Sequence, residues 1–443
     1  MPRHWSKYSM FMGERRSKGY TDSKCWLTPN SSSSSLAGRQ CQCRSSLEER
    51  GCSKHHVWCC RYKGLTQKSF PASPVTSRSR SRVQEDFEMK GIRKDMFGVF
   101  HDPDSNVEVK VDRYTLTSAS GVEVQVISYG ACVSAIVVPD KSGKKDHVTL
   151  GFDDMKGYLE NAYQGSSVGR CANRIGKGKL MVEGQQYSLT INNNGNHLHG
   201  GTRGWDKHVW ESHVSEERVV FSRLSSDGEQ GYPGAVLVQV KYSLDAAGGL
   251  RIDFEAMTTQ ATPINMTNHC FFNLAGHAAG QGGLLEHLVR VNADRFTPVG
   301  QDLIPTGELA SVRGTAYDLR SPITFGEALP RAPGNGFDHN FCLQFKHRGE
   351  LELAACFLHP PTGRGLEVYT TEPGVQIYTG NFLPKEANKM VGRSGTSYTY
   401  QGAFCCEPQN FPDAVNQSNF PSAICFPGKP YKHSMMYKFF IQK

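Results

Sequence analysis

The sequence predicts an all-β protein, a large antiparallel β-sandwich behind a disordered N-terminal extension. Three observations carry this. Apolar and polar residues alternate with period two in many short runs, as in strands with one buried face. Glycine and proline, 45 and 22 in 443 residues, punctuate those runs and mark turns. No amphipathic helix of three turns or more can be drawn on the chain. Many short strands with Gly- and Pro-rich turns read as a sandwich or barrel, and no repeat of about 20–50 residues marks a propeller.

The extension comes first. Residues 1–88 hold 16 Lys+Arg against 7 Asp+Glu, and the remaining 355 hold 34 against 35, so the whole basic excess sits in the first segment. A serine run at Ser31–Ser35, an Arg/Ser repeat at Ser77–Arg82 and no apolar periodicity describe a segment unable to bury enough apolar surface to order itself. Glu14, Asp22, Glu48 and Glu49 interrupt the basic character of an organelle-targeting arm. Cys41, Cys43, Cys52, His55, His56, Cys59 and Cys60 fit no usual zinc-finger spacing, so no metal is expected there. The expected reading is a dispensable tail or an over-extended frame whose true start is Met89.

Strands fill residues 89–443, read as one domain. Val107–Val111 and Val122–Ile127 alternate with period two, and Ala135–Pro139 runs into the turn Asp140–Gly143. Val148–Gly151, Val219–Phe221, Val236–Tyr242 and Leu250–Phe254 continue the series, the last two joined by the turn Ala246–Gly249. Leu366–Thr370 and Gly374–Tyr378 complete it. This body carries no positive excess, so no nucleic-acid partner is expected. No run approaches the roughly 18–20 apolar residues of a membrane span, and no stretch of about 7–15 apolar residues at the N-terminus marks a secretory signal. The eight cysteines after residue 88 lack C-x-x-C repeats, which suits thiols in a reducing, cytoplasmic compartment. A monomer is expected.

Five polar clusters stand out of this background: Gly169–Ile175, Asn196–Gly201, Asn265–Asn273, Asn335–Asn340 and Cys406–Asp413. Each mixes a titratable residue with amides. That composition suits a sugar, whose hydroxyls each donate and accept hydrogen bonds. Each cluster alone also has a plainer reading. His197-x-His199 places two imidazoles at metal-ligand spacing, yet no acidic partner stands near in sequence. Asn335–Asp338 reads as a turn, and Glu407 as a surface carboxylate were it not for Phe404, Cys405 and Cys406 beside it. Gly169–Arg174 lacks the Gly-Lys-Ser/Thr ending of a phosphate loop.

Taken in order, the clusters resemble the aldose 1-epimerases, the galactose mutarotases. The resemblance runs from about Phe97 to the C-terminus. It includes Val148–Asp153, Gly169–Ile175, Leu198–Gly201, Gly228–Gly234, Ala261–His269, Leu303–Gly307, Gly336–Asn340, Pro373–Phe382 and Glu407–Val415. It implies a mutarotase-like β-supersandwich, no cofactor and no metal, and an aldose such as galactose or glucose as the small-molecule substrate. Matched by motif, it implies Glu407 as catalytic base, His269 as catalytic acid, and Asn173, Arg174, His199, Asp338 and Gln376 as sugar-binding residues. Two departures stand out. Cys270 and Phe271 follow the histidine where the family more often has Ser-Tyr, and Pro408 and Phe411 stand where it usually has Thr and often Trp.

The implied reaction opens the pyranose ring, turns the aldehyde about C1–C2 and closes it on the other face. For this, Glu407 is expected ionised at pH 7 without tuning, and His269 protonated, with Asp338 helping to hold that proton. Two alternatives are weighed below this one: a non-catalytic sugar-binding or sensing protein on the same fold, and a hexose-phosphate epimerase.

Overall fold

Alternation in sequence becomes two-faced sheets. In Val236–Leu244, Val236, Val238, Val240 and Tyr242 are buried while Leu237, Gln239 and Lys241 are not. Its antiparallel neighbour Gly249–Thr258 sets Ile252 opposite Tyr242 and Phe254 opposite Val240, so the apolar sets of both strands fall on one face. The expected turn joins them: Asp245 Oδ1 accepts the backbone N–H groups of Ala247 and Gly249 at 2.9 and 2.8 Å.

The computed structural model describes residues 87–89, 91–161, 163–345, 347 and 349–443. The expected extension therefore lies outside the described residues, apart from its last two positions. The strand Phe87–Met89 straddles the expected boundary and pairs with Ile92–His101.

Among the described residues three large antiparallel sheets dominate. The first is a six-stranded meander in chain order from Phe87–Met89 to Lys145–His147. The second has nine strands, and the C-terminal strand Tyr431–Ile441 lies within it between Gly249–Thr258 and Arg364–Thr370. The third orders Phe271–Phe272, Phe404–Gln409, Gly374–Tyr378, Asp338–Leu343, Ala293–Phe296 and Ala310–Ser311. One continuous core joins all three: Val124 and Ile136 from the first, Val238, Phe254 and Met435 from the second, Phe341, Ile377 and Phe404 from the third. Described helices are at most short, such as Met155–Glu160 and Gly280–Leu285, as the sequence predicts.

One expected strand differs. Val148–Gly151 forms no ladder, and Thr149 makes a single bridge to Phe272. Thr149 Oγ1 accepts the N–H of Ile136 at 3.1 Å, so a side chain replaces a backbone carbonyl there. Cys132, Cys171, Cys270, Cys342, Cys405, Cys406 and Cys425 are free and buried, as expected of thiols.

Candidate active site

The third sheet presents the site. Pairing sets Asn340, Gln376 and Glu407 side by side on three neighbouring strands, with Asp338, Tyr378 and Cys405 in the next row. Strand alternation puts both rows on one face, and Phe341, Val375, Ile377 and Cys406 on the other, in the core. Gln376 Nε2 donates to Asp338 Oδ1 at 2.7 Å, and Glu407 is only 2% exposed. Pro408 lies where its strand has a neighbour on one side only, since Phe271–Phe272 pairs no further than Phe404 and Cys405. A missing N–H is tolerated at such a place.

His269 faces this sheet from the link between Thr267–Asn268 and Phe271–Phe272, both of which are strand-paired. Its backbone is pinned on either side: His269 N–H donates to Ser166 O and Gly165 N–H donates to His269 O, both at 2.9 Å. The ring stacks on Phe271 with centroids 4.9 Å apart. Nε2 lies 3.6 Å from Glu407 Oε1, and Nδ1 lies 3.6 Å from Cys405 Sγ. The departures from the family pattern are thus absorbed locally. Phe271 supports the imidazole, and Cys270 is buried in the core.

Two loops supply the opposite wall. Arg174–Ile175 pairs with His197–Leu198, and His199 Nδ1 accepts the N–H of Asn173 at 3.1 Å while His199 N–H donates to Asn173 O at 3.0 Å. Asn173 and His199 both adopt positive φ, 58° and 49°, in the left-handed region that non-glycine residues enter at a cost and that clusters at functional sites. Gly200 follows at φ 84°, where an added Cβ would sit 1.9 Å from Gly169 O, so no larger residue fits the bend. Arg174 Nη1 reaches Asp338 Oδ2 at 3.7 Å, which joins this wall to the sheet.

All seven residues singled out in the sequence therefore gather here, linked through Asp338 to Gln376 and Arg174, through Asn173 to His199 and through His269 to Glu407. Sequence reasoning missed Tyr163, whose ring centroid lies 4.6 Å from that of His199 and 5.8 Å from that of His269. A single tyrosine between Ala162 and Gln164 carries no signal of this. It also missed Cys405 and Asp413, treated below. Other cluster members are structural. His197 is held by Thr190 O and Tyr232 Oη, each at 2.7 Å, so the His197-x-His199 pair is no metal site. His339 engages Tyr317 Oη at 3.1 Å, and Asn265 brackets the backbone of Asn410.

Burial sets the electrostatics. It pushes the Glu407 carboxyl well above the usual carboxylate range; Asp338 pushes it further, and Arg174 opposes both. It pushes His269 down to about 4 and His199 well below its usual value, where the neighbouring His269 and Arg174 add to the effect. The expectation of an ionised glutamate beside a protonated histidine is thus corrected: with water excluded, the neutral form of each is favoured. Asp338 acts on Glu407 rather than on His269.

His269, Cys405 and Glu407 offer donor atoms within 4.8 Å of one another, the one such group among the described residues. The 3.6 Å approaches of Cys405 and Glu407 are to different ring nitrogens, Nδ1 and Nε2. Burial also holds the Cys405 thiol protonated, whereas a metal binds the thiolate. The set suits proton transfer better than metal binding. Among the described residues, no group pairs with the buried atoms Asn340 Oδ1, Gln376 Oε1 or either amide atom of Gln409. Such groups call for a hydrogen-bonding ligand or solvent.

A family model described as aldose 1-epimerase matches residues 112–438. Over 330 residues the chain is 48% identical to galactose mutarotase of Bos taurus and 47% identical to that of Homo sapiens, in each case covering 74% of this chain and 94% of the relative. It is 33% identical over 333 residues to aldose 1-epimerase of Escherichia coli (strain K12), covering 73% and 94%. Among solved structures, an aldose epimerase homologue from C. elegans aligns with a TM-score of 0.69 at 29% identity, covering 74% of this chain and 98% of that one. Galactose 1-epimerase from Lactobacillus acidophilus aligns with a TM-score of 0.66 at 25% identity, covering 80% and 100%.

Proposed function

The chain belongs to the aldose 1-epimerase family, and from that premise we propose that it interconverts the α and β anomers of galactose and glucose, with Glu407 as base and His269 as acid. The observation that carries the role assignment is the 3.6 Å approach of His269 Nε2 to Glu407 Oε1, against a wall of hydroxyl-matching side chains. Glu407 takes the proton of the C1 hydroxyl as C1=O forms. The C1–O5 bond breaks with its electron pair on O5, and O5 takes a proton from His269 Nε2. After rotation about C1–C2, closure returns both protons. Asn173, Arg174, His199, Asp338 and Gln376 hold the remaining hydroxyls.

The pair therefore shares one proton that it exchanges through the sugar. Ring opening starts with the proton on His269 and ends with it on Glu407. Burial favours the second arrangement in the sugar-free site, and Arg174 is the group that eases Glu407 back toward its ionised form. Positioned acid and base groups contribute about 10²–10⁴-fold, a scale that suits a reaction already proceeding in water.

We further read the chain as a cytoplasmic monomer. The seven free thiols among the described residues, all buried, support a reducing compartment, and no described helix is long and apolar enough to cross a membrane. Polarimetry of freshly dissolved α-D-galactose and α-D-glucose tests the activity. Glu407→Gln and His269→Gln should each lower kcat by about 10²–10⁴-fold with folding intact, and the double variant should be little worse than the worse single. Near-full activity in a folded Glu407→Gln protein would move the base elsewhere.

A further inference from the structure

The reaction makes a demand on His269 that its approach to Glu407 does not meet. The nitrogen facing Glu407, and so the reacting sugar, is Nε2. The proton given to O5 leaves from Nε2, and the proton recovered on closure must return there. Between the two steps the imidazole is neutral and carries one N–H. If that N–H were on Nε2, the ring could accept nothing from the sugar and closure would stall. The productive neutral form has its hydrogen on Nδ1, and an N–H at that position needs an acceptor.

One side chain stands at Nδ1. Cys405 Sγ is 3.6 Å away, within the reach of a hydrogen bond to sulfur. Cys405 lies two residues before Glu407 on the strand Phe404–Gln409, so both side chains project from the same face and meet the imidazole at its two nitrogens. Stacking on Phe271 at 27° between ring planes resists a flip that would exchange those nitrogens. The thiol is fully buried and free. Resting on the proposed acid role of His269, we infer that Cys405 is a positioning residue, its sulfur accepting the Nδ1–H of His269 and so keeping Nε2 open for proton exchange with the sugar. Burial keeps Cys405 a thiol, and a thiol sulfur is a weak acceptor. It orients the ring without drawing the proton away or fixing a charge beside Glu407.

Two readouts test this on the full chain. Nitrogen-15 NMR of histidine-labelled protein, with the His269 signals identified by their loss in His269→Gln, should show Nδ1 protonated and Nε2 unprotonated at neutral pH. Cys405→Ala should shift His269 toward the Nε2–H form and lower kcat about two- to tenfold, the effect of losing one hydrogen bond, with KM unchanged. Cys405→Ser, which restores an acceptor, should recover most of both. An Nε2–H tautomer in the unmodified protein would overturn the inference, as would a Cys405→Ala protein with tautomer and kcat both unaltered. Should Cys405→Ala fail to fold, the unmodified protein and Cys405→Ser still decide. Full activity in His269→Gln would instead overturn the acid assignment beneath it.

Discussion

Asp413 Oδ1 accepts the backbone N–H of Gly176 at 2.9 Å. Asp413 N–H in turn donates to Arg174 O at 3.0 Å. The segment that leaves Glu407 is thereby tied to the loop that carries Arg174, and the base and the cation beside it are set by one strut. Asn416 Nδ2 also donates to Oδ1, and Gln417 Nε2 to Oδ2. Asp413→Ala removes the partner of the half-buried N–H of Gly176, which costs about 0.5–1.5 kcal/mol. Thermal denaturation should show that loss. Polarimetry should show KM raised for galactose, since the loop that carries Arg174 loses its side-chain tie at Gly176 and keeps only the backbone bond to Arg174 O. A variant with normal KM would mean that Asp338, Asn193 and the backbone bond from Asp413 position Arg174 without the Asp413 carboxylate.

The two limbs of the pH profile should be assigned in the reverse of the order the reference values suggest. His269 is pushed down to about 4 and Glu407 up, so the pair loses its first proton near pH 4 and its second above the usual carboxylate range. Between those points it holds one proton, and kcat/KM should be level. The acid limb then reports His269 and the basic limb Glu407, as properties of the coupled pair. Polarimetric rates against pH, corrected for the uncatalysed reaction, give the limbs. An NMR titration should find His269 neutral at pH 6, and a charged imidazole there would contradict this order.

Acid should destabilise the protein before carboxylates of ordinary pKa titrate. Burial holds His197 and His269 near 4 and His287 and His433 near 3, all below the value of about 6.5 in an unfolded chain. The sign follows directly. As pH falls below about 6.5 the unfolded chain binds protons that the folded one refuses, so stability drops with falling pH down to the folded values. Each such histidine contributes a slope of up to about 1.4 kcal/mol per pH unit. Denaturant unfolding at pH 7, 6 and 5 should show midpoints falling together with pH. A flat response would mean that these rings are not neutral when folded.

The basic N-terminal segment is proposed to be dispensable, on the strength of its composition and of a site built from later residues. A chain beginning at Asp86 should fold and keep full turnover. A chain beginning at Met89 loses Phe87 and Glu88, which pair with Lys94 and Arg93. It should keep kcat, with its denaturation midpoint lowered slightly through fraying of that edge. Loss of most turnover in the longer of the two would refute the idea.

The sheet framework was legible in the sequence because period two is a local property: Val236–Tyr242 and Leu250–Phe254 declare their buried faces within a few residues. Six of the seven site residues were legible because they sit in short polar clusters whose order matches a known family; Gln376, on an otherwise apolar strand, was legible only through the family motif Pro373–Phe382. What the tertiary structure decided is what depends on approach between distant segments. Cys405 and Glu407 share a strand face by simple alternation, but only the fold brings His269, 136 residues from Cys405, between them with one nitrogen toward each. Tyr163 reaches the site through a bend that no spacing announces. The charge states were beyond the sequence for the same reason. Reference values make Glu407 an anion at neutral pH, whereas its favoured form depends on how much water the packed walls exclude and on which charges, Asp338 and Arg174, the register sets beside it.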